Sequence, residues 1–143
     1  MAKKNLLIGG IQNYGINQIK PWVLSACETM PDAEKILCIS NIDYDTRKWL
    51  FDHGFSLVEL PEIPLPVHVL RFIGIYEVLR KHYEDYNYVI TTDVKDVVFQ
   101  NDPFKWLEKN DIGTGPKKLV AGSECLKYKD ESWGDDNLKQ AYG

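Results

Sequence analysis

Tyr88-Val89-Ile90-Thr91-Thr92-Asp93-Val94-Lys95-Asp96-Val97-Val98-Phe99 is a run of β-branched and aromatic residues that ends on two carboxylates three positions apart. It predicts a strand over 88–92, with Val97-Val98-Phe99 continuing as an extended apolar piece. Before it, a helix is expected from about Val67 to Tyr83, with Val69, Phe72, Ile73, Tyr76, Leu79 and Tyr83 on one face at helical spacing. Pro61, Pro64 and Pro66 make the stretch ahead of that helix irregular. Working back, strands are expected at 55–60, 35–40 and 4–11. A helix over 19–30 takes Pro21 in its first turn, and a second runs from an Asp43 or Asp45 cap to about His53, where Gly54 closes it. Working forward, Asp102-Pro103 caps a short helix to Glu108, Leu119-Val120-Ala121 reads as a strand, and 133–142 as a last helix. Strands alternating with amphipathic helices imply an α/β fold, a mainly parallel sheet with helices on both faces. Ligands in such sheets bind outside the carboxyl ends of the strands, so the residues just after each strand are the candidates.

Composition narrows the function classes. The 143 residues suffice for one domain with a real core, taken here as a single domain over 1–143. A net charge of −4 argues against a non-specific nucleic-acid binder, which needs a basic face. No apolar run approaches the length of a transmembrane segment, and the apolar stretch after Lys3-Lys4 reads as a buried strand rather than a signal peptide. Cys27, Cys38 and Cys125 are odd in number and widely spaced, as expected of buried thiols in a reducing, cytoplasmic setting.

The sharpest chemical feature is Asp93 with Asp96. Carboxylates among apolar residues are costly unless paired or metal-bound. A hard cation such as Mn²⁺ or Mg²⁺ takes one or two carboxylates and completes its shell with phosphate oxygens and water. The plainer alternative is that Asp93 caps a turn and Asp96 pairs with Lys95 or another base. Directly after the first strand, Gly9-Gly10-Ile11-Gln12-Asn13-Tyr14-Gly15 places backbone amides and an aromatic ring at the carboxyl edge. Tyr14 is suited to stack on a base, and Gln12, Asn13 or backbone amides to bond its edge; otherwise the segment is a glycine-rich turn. It carries neither the Gly-x-Gly-x-x-Gly fingerprint nor a Walker lysine. Arg71, in the first turns of the long helix, is opposed by the helix dipole. A diphosphate or Asp93 would resolve that conflict; the alternative is a surface arginine. Glu124 is a weaker candidate for facing an acceptor, against a turn carboxylate. His53, His68 and His82 share no metal-ligand spacing, and Asp130-Glu131 with Asp135-Asp136 reads as a solvated face or a helix start.

Taken together these segments resemble GT-A-fold, nucleotide-sugar-dependent glycosyltransferases, including small bacterial and large-DNA-virus members. Residues 7–15 look like the opening strand and nucleotide loop, Arg71 like the basic residue of the helix before the metal strand, and 88–104, ending Asp102-Pro103-Phe104, like the metal-binding segment. The resemblance implies a metal-dependent transfer of sugar from a nucleoside diphosphate sugar, most simply a UDP-sugar, to a glycan or other hydroxyl acceptor. It implies nucleotide contacts from Gly10, Ile11, Gln12, Tyr14, Arg71 and Asp93, and Mn²⁺ or Mg²⁺ held by Asp93 and Asp96, with Asp96 the direct ligand. Two departures stand out. The spacing here is Asp-x-x-Asp where the family has Asp-x-Asp. The chain also matches only the earlier part of a family catalytic domain, so C-terminal truncation is expected, and the catalytic base is not among the residues singled out. A nucleotidyltransferase is disfavoured because 9–15 contains no Lys or Arg to grip a triphosphate. A non-catalytic module that binds a sugar nucleotide or a protein partner is the other alternative.

Overall fold

A computed structural model describes residues 3–110 together with Asp136 and Lys139, which are both helical and exposed. The chain divides into two compact units, Met1–Ile112 and Gly113–Gly143. The expected strand at 119–121, most of the expected helix at 133–142, and Glu124 and Cys125 lie outside the described residues.

The first unit runs β1 (Lys4–Gln12), α1 (Ile16–Thr29), β2 (Glu34–Ser40), α2 (Tyr44–Asp52), β3 (Ser56–Glu59), α3 (Val67–His82), a 3-10 turn (Tyr83–Asp85), β4 (Tyr86–Thr91) and α4 (Pro103–Lys109). The four strands form one parallel sheet in the order β3-β2-β1-β4. The central pair follows from composition. Leu6-Leu7-Ile8 and Ile36-Leu37-Cys38-Ile39 are continuous apolar runs, and all are buried on both faces of the sheet. β3 and β4 are shorter and flank them, β4 with an alternating pattern of burial.

Each face has its own core. Leu7, Ile11, Leu37 and Ile39 pack with Trp22, Val23 and Ala26 of α1, Leu50 of α2 and Phe104 of α4. On the other face Leu6, Ile8, Ile36 and Cys38 pack with Leu70, Ile75 and Val78 of α3. Helices therefore cover both faces, as the alternation of elements predicts. Burial pushes the Cys38 thiol up to about 11, so it stays protonated at neutral pH. No helix among the described residues is long and apolar enough to cross a membrane.

Two local expectations change. α1 begins at Ile16, not near Ile19, so Pro21 sits in its second turn rather than its first. The early start is fixed by a reciprocal cap: the Gly15 N–H donates to Gln18 Oε1 at 2.9 Å, and the Gln18 N–H donates to the Gly15 carbonyl at 3.1 Å. Val97-Val98-Phe99 joins no ladder of the sheet; Val97 and Phe99 turn inward against the α1 side, and the Phe99 N–H donates to Ser25 Oγ at 3.1 Å. The largest change concerns α3. Its aromatic stripe faces out, with Phe72 54% and Tyr76 62% exposed, while Leu70, Gly74, Ile75 and Val78 face the sheet. Gly74 decides this. A Cβ there would lie 2.6 Å from Cys38 Sγ and 2.9 Å from Leu60 Cδ2, so the helix approaches β2 along its small-residue side. A mid-helix glycine costs about 1 kcal/mol against alanine, and here that cost is offset by the close approach it permits.

This orientation sets a test. Ile75→Ala is expected to cost about 2–4 kcal/mol through cavity formation, and Tyr76→Ala no more than about 0.5 kcal/mol as a surface change. Urea unfolding midpoints of the two variants measure the difference; equal losses would return the aromatic stripe to the core.

Candidate functional site

The strand order places a topological switch point between β1 and β4. The chain moves outward from β1 to β2 to β3, then crosses back to lay β4 on the other side of β1. A crevice opens where such a sheet reverses direction. Here the ladder between β1 and β4 ends at Ile8↔Thr91, while β1 continues to Gln12 alongside β2. The Asn13 N–H donates toward β2, to the Ser40 carbonyl at 3.2 Å. Alternate residues of a parallel strand turn their backbone groups to opposite neighbours. Gly10 and Gln12 therefore turn their N–H and C=O groups toward the β4 side, past the end of β4.

Above this opening lies α3. A Cβ on Gly10 would fall 2.4 Å from Arg71 Cβ and 3.4 Å from Arg71 Cα, so only glycine lets the helix come this close to the strand end. That approach brings the Arg71 side chain, 18% exposed, across the carboxyl edge to an ion pair with Asp93. Its Nε is buried and has no hydrogen-bond partner among the described residues.

The segment after β4 explains why Asp93 points toward Arg71. Thr92 is drawn to the α1 face, where its Oγ1 accepts from Trp22 Nε1 at 2.9 Å. Val94, 3% exposed, is seated in the α1 core. With its two neighbours anchored on one face, alternation turns Asp93 to the other. Asp93 itself is 66% exposed, so the pair contributes no more than about 1 kcal/mol to stability. The fold gains little from this contact, while a charged, partly desolvated Arg71 is kept at the carboxyl edge between β1 and β4.

The other sequence candidates divide. Gln12 is half-buried at the end of β1, at the opening. Ile11 is fully buried in the α1-side core, on the face opposite Arg71. Tyr14 is half-buried and packs against that same core, so part of its ring is already engaged. Asp96 is exposed and makes no hydrogen bond or ion pair among the described residues, so nothing in the geometry ties it to Asp93. Among those residues no cluster of three or more His, Cys, Asp or Glu side chains is arranged to hold a metal. Two aspartates suit a cation that arrives with phosphate oxygens; they do not make an all-protein cage. The sequence reading missed Thr92 and Trp22 as the clamp on the acidic segment, because nothing in the spacing pairs residues 22 and 92.

No family model matches the chain, and no curated protein matches it.

Proposed function

We propose that the chain is the nucleotide-binding part of a GT-A-type glycosyltransferase, taking a nucleoside diphosphate sugar, most simply a UDP-sugar, and delivering the sugar to an acceptor hydroxyl. The observation that carries the reading is the Arg71–Asp93 pair at the switch point between β1 and β4. A cation and an anion of low mutual worth, set beside turned-in backbone groups of Gly10 and Gln12, suit a ligand that itself carries both phosphate and a divalent ion. Arg71 binds a diphosphate oxygen through its planar guanidinium. Asp93, released from Arg71, and Asp96 are the residues to hold Mn²⁺ or Mg²⁺. Such an ion supplies neutralisation of the charge on the leaving diphosphate. Gln12 and the free part of the Tyr14 ring meet the nucleoside. The free thiols of Cys27 and Cys38 suit a cytoplasmic setting.

Calorimetric titration with UDP, with and without Mn²⁺, tests this directly. Metal-dependent binding is expected for the natural sequence. Asp96→Ala is expected to abolish the metal-dependent part without moving the thermal midpoint, since Asp96 is exposed. Unchanged Mn²⁺-dependent affinity in that variant would remove Asp96 from the metal site. UDP binding with no dependence on metal would favour a non-catalytic nucleotide module.

A further inference from the structure

The two central strands leave the sheet in the same way. Gln12↔Ser40 is the last pair of the β1–β2 ladder, and the next residue on each strand is an asparagine with a left-handed backbone, Asn13 at φ 57° and Asn41 at φ 50°. Asparagine tolerates this region better than other residues with a side chain. The two are tied together: Asn41 Nδ2 donates to Asn13 Oδ1, and the Asn13 N–H donates to the Ser40 carbonyl at 3.2 Å. From Asn13 the chain passes through Tyr14 to Gly15, the cap of α1. From Asn41 it passes to Asp43, the cap of α2, whose carboxylate accepts from the Thr46 N–H at 2.8 Å and is held below the usual carboxylate range by that bond. One side-chain bond thus joins the exits of both strands at the carboxyl edge of the sheet.

We infer that Asn41 is a positioning residue for the nucleotide loop, acting through Asn13 on Gln12 and Tyr14. The inference rests on the function proposed above. It also gives the Asn13 side chain a structural bond, its amide oxygen accepting from Asn41. Both side chains are exposed, so the bond between them adds little to global stability, and its effect falls on loop order.

The experiment is a double-mutant cycle with Asn41→Gly and Asn13→Gly, since glycine keeps the left-handed backbone and removes the clasp. Each single variant is expected to weaken binding of UDP with Mn²⁺ by about three- to tenfold. The double variant should be no weaker than the poorer single, because both remove one interaction. Amide hydrogen exchange at Tyr14 and Gly15 should quicken in all three, with the thermal midpoint little changed. Asn41→Asp, which the Asn13 amide can meet by rotating to donate, should restore slow exchange. Additive losses would mean that glycine flexibility alone is responsible, and unchanged exchange in Asn41→Gly would overturn the inference outright. If the natural sequence binds no UDP, the proposed function fails, while the exchange measurements still decide whether the clasp orders the loop.

Discussion

Trp22→Ala is expected to destabilise the first unit by about 3–5 kcal/mol, the range for deleting a large buried ring. That is a large share of the roughly 5–15 kcal/mol that holds a typical domain together. Trp22 is fully buried, with its ring centroid 5.7 Å from Phe55 and 5.9 Å from Phe99. It therefore ties α1 to the start of β3 and to the segment after β4. Its indole N–H also holds Thr92, which separates two roles in one residue. Trp22→Phe keeps most of the packing and loses the hydrogen bond, at about 0.5–1.5 kcal/mol plus a small packing loss. Nucleotide affinity should nonetheless fall in Trp22→Phe, because Asp93 is turned toward Arg71 by the anchoring of Thr92. Urea unfolding and UDP titration of both variants measure the two effects. A loss below about 1.5 kcal/mol for Trp22→Ala would show that the ring is not seated as described.

The parts of this molecule that are local in sequence were legible there. Continuous apolar runs at 6–8 and 36–39 mark the doubly covered central strands, and Asp102-Pro103 marks the start of α4, with Asp102 Oδ1 accepting from the Phe104 N–H at 2.9 Å. Asp43 rather than Asp45 caps α2, a choice that sequence left open. The parts set by distant partners were not legible. The helical wheel of α3 has two apolar sides, and hydrophobicity alone favours the aromatic one. What decides is the fit of Gly74 against Cys38 and Leu60, a contact between residues far apart in the chain. The site shows the same division. Asp93 and Arg71 each stood out locally, one after a strand and the other opposed by a helix dipole. The sequence offered a diphosphate or Asp93 as the partner of Arg71; that the two side chains meet follows from β4 lying beside β1, and from Gly10 letting α3 descend on the strand end. The twin asparagines were hidden because a left-handed backbone leaves only a weak mark in sequence, and 13 and 41 become neighbours only through the β1–β2 register.

Arg71→Met is expected to weaken binding of UDP with Mn²⁺ by about 10- to 150-fold, with stability unchanged within about 1 kcal/mol. The affinity loss is that of a charge-assisted hydrogen bond to an anion, about 1.5–3 kcal/mol. Stability should hold for three reasons. The pair with Asp93 is exposed on the carboxylate side and contributes little. Methionine replaces the apolar stem of the arginine against Gly10 and the strand end. The substitution also removes the buried Nε, which has no hydrogen-bond partner among the described residues and so opposes folding. Arg71→Lys separates charge from shape, since a lysine keeps the charge but loses the planar fork, and it should fall between the two. Asp93→Asn serves as the counterpart: it frees Arg71 while weakening metal dependence, so it should lower affinity with Mn²⁺ and change metal-free affinity little. If Arg71→Met binds the nucleotide as well as the natural sequence does, Arg71 serves only to hold Asp93, and the diphosphate lies elsewhere.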